Sequence, residues 1–267
     1  MTEDHITIIS SRQNPRLREL AALHRGRRRK ETGLSLAEGV RLTGEALRHA
    51  ETETLILSEQ LTGTTAGEEL TDLASERGVE ILRVSESCYA KISRLENPEG
   101  AAAVIRVRRI EMTELLTPTC RLVVAAGLQD PGNAGAIIRV AEAAGASGCI
   151  LLEGIDPGHP RLLRGAAGSA FRLPCATGEI SAFLKAARKI PIRILATTLA
   201  AGSLPYHQAD FTPPVAICLG GEGKGLPEEI FQGADQLITI PMAGPVESLN
   251  AAVAAGIILY GAGWNCP

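Results

Sequence analysis

The chain has 267 residues, of which 45% are hydrophobic and 3% aromatic, with a formal net charge of −3. That is enough chain for one large or two modest domains, and the charge balance excludes a globally basic nucleic-acid binder. Apolar runs stop at about five residues, against the ~20 that a membrane helix needs, so no membrane span is expected. Residues Met1 to His5 carry neither a basic nor an apolar leader pattern, so a secretory signal is not expected and the cytoplasm is the expected compartment. Six cysteines, Cys88, Cys120, Cys149, Cys175, Cys218 and Cys266, are scattered without a CxxC pair. Several sit inside apolar runs and read as small core residues, not as a disulfide frame, and no metal is expected. The net charge hides a local excess. Residues 1–48 hold ten Lys/Arg and six Asp/Glu, a balance of +4 that is compatible with nucleic acid.

Residues 11–24 begin with turn formers, and the spacing of Leu17, Leu20 and Leu23 predicts a helix opening near Pro15. The run Arg25 to Lys30 reads either as a solvated surface or as a phosphate-contacting loop. A strand is predicted over Leu34–Glu38, ending in a turn at Gly39, and a helix over Val40–Ala50. Strands follow at Thr54–Ser58, Glu80–Val84 and Ala101–Val107, with a helix at Gly67–Arg77. Helices alternating with strands make residues 1–107 a small α/β domain. Residues 108–119, charged first and then Thr117-Pro118-Thr119, read as a linker to a second domain over 120–267.

In that second part, strands are predicted at Arg121–Ala126, Gly148–Leu152, Ala170–Leu173, Ile192–Thr197, Val215–Leu219 and Gln236–Ile240. Helices are predicted at Ala136–Ala144, Glu179–Lys189 and Leu226–Phe231. A last helix carries apolar positions at Val246, Leu249, Val253, Ile257 and Tyr260 and is otherwise mostly Ala and Gly, which lets another backbone come close. It places Ser248 and Asn250 in its first turn, beside free backbone N–H groups and a positive dipole end. The alternation predicts a mostly parallel sheet covered on both faces. Ligands of such sheets sit at the carboxyl ends of strands, which singles out three turns: Asp130–Gly135, Gly220–Gly225 and Pro241–Asn250. The glycine loop is not a P-loop, because Gly225 follows Lys224 where Ser or Thr is required, and its spacing is not GxGxxG. It remains a loop whose backbone can approach a flat ligand, with Glu222 its one carboxylate. Asn133 and Arg139 stand six residues apart, ~9 Å along a helix. Arg139 lies off the face of Ile137, Ile138 and Ala141 and is not expected in the core.

These residues carry a resemblance. Asp130 to Arg139, Leu219 to Leu226, and Ile240 to Asn250 resemble, in order and spacing, the three motifs of the SpoU/TrmH-type RNA 2′-O-ribose methyltransferases of the SPOUT superfamily. Arg161 to Ser169 is similar to a further family segment. Ser11-Arg-Gln-Asn14-Pro15 and Ala37-Glu38-Gly39 resemble the small L30e-like substrate-binding domain that many members carry. One departure is Gly221, where many members have Asn. The resemblance implies S-adenosylmethionine as methyl donor, a deep trefoil knot in the C-terminal domain, and a homodimer. It implies that Arg139, Asn133, Glu222, Ser248 and Asn250 serve catalysis, and that Gly220, Ile240 and Leu249 hold the donor mainly through backbone groups. Arginine is effectively always protonated, so Arg139 is expected to hold phosphate and stabilise the developing alkoxide, not to act as a base. The expected substrate is a structured RNA, ribosomal ahead of transfer RNA. The alternative is an RNA-binding protein on the same scaffold that has lost catalysis.

Overall fold

A computed structural model describes residues 6–200, 202–221, 225–244 and 248–264. They form two compact units, the first made of residues 1–108 and 158–172, the second of 109–157 and 173–267.

The first unit is built on a five-stranded sheet of β1 (Ile6–Ile9), β2 (Leu34–Glu38), β3 (Thr52–Ser58), β4 (Glu80–Val84) and β5 (Ala101–Arg106), in the order β1-β4-β3-β5-β2. β1, β4 and β3 run parallel, and β5 pairs antiparallel with β3 and β2. Strand alternation sends Leu55 and Leu57 to one face and Ile56 to the other. The first face packs with Leu47, Leu70 and Ala74 of the helices Val40–His49 and Thr65–Glu76. The second packs with Leu17 and Leu20 of Pro15–Ala22 and with Cys88, Tyr89 and Ile92 of Glu86–Ile92. The last helix and β1 were not foreseen from the sequence.

Residues 158–172 belong to this unit although they lie far along the chain. The helix Pro160–Ala166 buries Leu162, Leu163 and Ala166, and it packs against β2. The buried Ser35 hydroxyl donates to the carbonyl of Gly158, and Arg172 is paired with Glu45. A strand expected over Ala170–Leu173 is instead the end of a short helix, Ser169–Arg172. Pro174 cannot continue it, and the strand forms one step later.

The second unit holds a seven-stranded sheet of β6 (Arg121–Ala126), β7 (Gly148–Leu152), β8 (Cys175–Gly178), β9 (Arg193–Thr197), β10 (Leu204–Pro205), β11 (Val215–Gly220) and β12 (Gln236–Thr239). Its order is β10-β12-β9-β11-β6-β7-β8, and every pairing is parallel. One face packs with Phe183 of the helix Ile180–Ala187, with Ile230 of Glu228–Gly233, and with Met112 and Leu115. Those last two residues fall in the stretch read as a linker, where Met112–Leu115 is a short helix closed by a capping box between Glu111 and Glu114. The other face carries the helices Pro131–Ala143 and Ala251–Gly261, which pack on each other. Among the described residues no helix is long and apolar enough to cross a membrane.

The C-terminal helix corrects the sequence reading in its start. It begins at Ala251, because the Asn250 side chain accepts hydrogen bonds from the N–H groups of Ala252 and Val253 and caps it there. Ser248 therefore precedes the helix, and Val246 lies outside the described residues. The buried side chains are Ala251, Ala255, Ile258 and Leu259, whereas Val253 and Tyr260 are each 52% exposed. Of the apolar positions that the spacing singled out, Val253 and Tyr260 thus face outward, and Ile257 is half-buried.

A chain beginning at Arg108 retains residues 158–172 but lacks β2. Leu162 and Leu163 are then uncovered, and such a chain is expected to be recovered mainly as aggregate, checked by gel filtration against the full chain. A monodisperse, soluble product would contradict the assignment of 158–172 to the first unit.

Candidate active site

A cleft opens at the carboxyl ends of β9, β11 and β12. It is lined by Thr197 to Ala200, by Leu219 to Gly221, by Ile238 to Ile240, and by Met242, Ser248 and Leu249. The helix Ala251–Gly261 supplies Ala251, Ala254 and Ile258 to its wall. Its volume, about 470 Å³, falls within the range of ligand pockets. Of the sequence-predicted residues, Gly220, Ile240, Leu249 and Ser248 all line this one cleft.

Gly220 has a steric reason to be glycine. A Cβ there would stand 2.4 Å from both the carbonyl carbon of Gly225 and the nitrogen of Leu226. The loop folds back on itself so tightly that Gly221 and Gly225 exchange backbone hydrogen bonds, at 3.2 and 3.0 Å. Gly221, the departure noted in the sequence, is equally constrained, since its Cβ would meet the carbonyl oxygen of Gly127 at 2.5 Å. Any side chain at 221 requires the strand end beyond β6 to move. Glu222 lies outside the described residues.

Asn250 does more than cap a helix. Its amide nitrogen donates to the side-chain oxygen of Asn133 at 3.2 Å. Asn133 is in the first turn of Pro131–Ala143, whose N-cap Asp130 accepts from the N–H of Gly132 at 3.0 Å. The Asn–Asn bond thus ties together the starts of two helices, both positive dipole ends, immediately beside Ser248 and Leu249. Arg139, further along the same helix, is exposed and does not line the cleft. Cys218, two residues before Gly220, is fully buried, and burial pushes its thiol up to about 12. It stays protonated and is core, not nucleophile.

Sequence reasoning missed the segment Thr197 to Ala200, which lines the cleft and exposes Leu199 by 59%. The signal was present, a polar Thr197-Thr198 pair at the carboxyl end of a parallel strand.

In the first unit, the motif residues do structural work. Asn14 caps the helix Pro15–Ala22 by accepting from the N–H of Arg16 at 2.9 Å. Glu38 is 2% exposed and accepts from the Ser93 hydroxyl at 2.7 Å. The basic run is not a loop, since Gly26–Thr32 is a helix. Arg29 is 5% exposed with its guanidinium on the carbonyl of Leu23, and Arg27 is paired with Glu31. A helix points its side chains in different directions, so this run cannot act as one contiguous patch. Arg12, Arg18, Arg25 and Lys30 remain exposed.

The chain belongs to the SpoU rRNA Methylase family, whose model matches residues 121–260. Residues 14–103 match the MRM3-like substrate binding domain. The 23S rRNA (guanosine(2553)-2′-O)-methyltransferase RlmP of Bacillus subtilis strain 168 is 30% identical, the match covering 94% of this chain and 97% of that one. A solved AdoMet-bound rRNA methyltransferase from Sinorhizobium meliloti superposes with a TM-score of 0.86 at 32% identity, covering 98% of this chain and 99% of that one. The SpoU methyltransferase AviRb of Streptomyces viridochromogenes, also solved with AdoMet, gives 0.81 at 29% identity, covering 94% and 97%.

Two outcomes follow from this geometry. Gly220→Leu is expected to weaken S-adenosylmethionine binding by at least ~10-fold in titration calorimetry, because the side chain must displace the Gly225 backbone or enter the cleft. Unchanged affinity would remove Gly220 from the donor site. Asn250→Ala removes both the cap and the Asn133 bond and is expected to cost about 1 kcal/mol of stability. Asn250→Asp keeps the cap acceptor but loses the amide donor, so it should recover stability. Equal stability loss in both variants would assign the cost to the bridge.

Proposed function

We propose that this chain transfers a methyl group from S-adenosylmethionine to a ribose 2′-hydroxyl of ribosomal RNA. The observation that carries the reading is the placement of the cleft beside the Asn133–Asn250 bond, so that a small-molecule pocket and two helix N-termini share one edge of the sheet. The family supports methyl transfer, the AdoMet-bound neighbours support the donor, and the 23S rRNA activity named for the Bacillus relative supports a ribosomal target. The cleft fits the donor on its own terms, with an apolar wall of Ala251, Ala254 and Ile258 and a glycine backbone where no Cβ has room.

S-adenosylmethionine, when bound, supplies a methyl group on a sulfonium. Everything else falls to the chain. Gly220, Ile240 and Leu249 hold the donor through backbone groups and apolar contact. A neutral hydroxyl is a weak nucleophile, and a cation close to it favours the alkoxide as it forms. Arg139 is given that role, together with holding the RNA phosphate. The helix starts joined by Asn133 and Asn250 add positive potential at the same edge. Ser248 and Asn250 position the ribose, and Glu222 serves the same loop. The proton leaves through water or phosphate.

The first unit is the RNA-holding part, with Arg12, Arg18, Arg25 and Lys30 as its phosphate contacts. Such contacts set affinity without reading sequence. The outward Val253 and Tyr260, with the half-buried Ile257, form the surface on which a second copy docks, giving the homodimer. The knotted threading of residues 120–267 and a cytoplasmic location belong to the same reading.

Arg139→Ala is expected to lower methyl transfer by ~100-fold or more while changing donor affinity less than ~3-fold. Methyl incorporation into ribosomal RNA and donor titration measure the two separately. Activity within ~3-fold of wild type, under ~1 kcal/mol of barrier, would remove Arg139 from the mechanism.

A further inference from the structure

β7 and β8 pair in parallel register with Cys149 opposite Cys175. Neighbouring strands lie ~4.8 Å apart, within the Cα separation of ~4.4–6.8 Å that a disulfide spans. Directly paired residues also project to the same face of the sheet, so both side chains stand on that face. Their surroundings differ. Cys149 is fully buried, whereas Cys175 is partly exposed and directs its thiol to the carbonyl of Leu173 at 3.3 Å. Among the described residues β8 is an edge strand paired with β7, and it follows directly on residues 158–172 of the first unit. A bond at Cys175 would fix this edge strand to its neighbour at the point where the chain returns to the second unit.

We propose that Cys149 and Cys175 are a dithiol that hydrogen peroxide oxidises to an internal disulfide, Cys175 being attacked first and Cys149 closing the bond. The Cys175 thiolate attacks one peroxide oxygen, the O–O bond breaks, and Cys175 becomes a sulfenic acid. The departing hydroxide takes up the proton that Cys175 released on becoming the thiolate and leaves as water. The Cys149 sulfur then attacks the Cys175 sulfur, the S–O bond breaks, and a second water leaves with the Cys149 proton. Two thiols lose two electrons in total, and one peroxide is reduced to two waters. Cys149 is buried and Cys175 is the accessible sulfur, so Cys149 waits as the resolving group while Cys175 reacts; the neighbouring Cys175 thiol and burial also hold the Cys149 pKa well above the ordinary thiol value. β6 and β7 separate β8 from the strands of the cleft, so donor binding is left unchanged.

The test uses the full chain, treated with hydrogen peroxide, blocked with N-ethylmaleimide and digested without reductant for mass spectrometry. A Cys149–Cys175 cross-linked peptide that dithiothreitol releases is expected. In Cys149→Ser, dimedone should capture a sulfenic acid at Cys175, and in Cys175→Ser, Cys149 should stay a free thiol. Two free cysteines in the treated wild type would overturn the proposal. So would over-oxidation of Cys175 without a cross-link, or a bridge from either cysteine to another. The wild-type map decides the matter alone if a serine variant fails to fold.

Discussion

The close approach of four glycine backbones, Gly220, Gly221, Gly225 and Gly127, is the constraint on which the site depends. Gly220 touches the Gly225 backbone, and Gly221 touches the Gly127 carbonyl, each closer than any side chain allows. The loop after β11 is thereby closed on itself and pressed against the loop after β6. That contact shapes one side of the cleft from main chain alone. A pocket made this way offers N–H and C=O groups and shape, and little for a side chain to alter. It suits a ligand whose chemistry is its own, while the protein supplies orientation.

The second element is electrostatic. Helix N-termini carry about half a positive charge each, and Asn250 holds two of them together through one side chain that caps its own helix and bonds Asn133. Asp130 keeps the other helix start closed in the same way. An exposed Arg139 on one of these helices adds a full charge that no partner among the described residues neutralises. The two helix starts therefore place positive potential at the edge of the sheet that holds the cleft.

The sheet and the cleft were legible because parallel strands write themselves as continuous apolar runs and because turns at strand ends are where ligands bind. Gly220, Ser248 and Leu249 fall in turns found on that basis, whereas Ile240 and the role of holding a donor came from the family resemblance. What the sequence hid has physical causes. Val253, Ile257 and Tyr260 follow helical spacing as well as any core stripe, and spacing alone does not say which apolar face is covered. The Ala-rich face won because small side chains let the helix Ala251–Gly261 lie close on Pro131–Ala143. Arg29 sat in a run of charges and is nevertheless buried, since a helix start at Gly26 turns one side chain in four or so toward the core. Membership of residues 158–172 in the first unit rests on long-range packing against β2, which no local pattern records.

The most direct measurement of the central claim is alkaline hydrolysis of ribosomal RNA methylated in vitro by the purified chain with labelled S-adenosylmethionine. A 2′-O-methyl group blocks cleavage at its own ribose, so the account predicts label in alkali-resistant dinucleotides at a discrete site in ribosomal RNA. Label recovered only in mononucleotides, on a base and not a ribose, would contradict it.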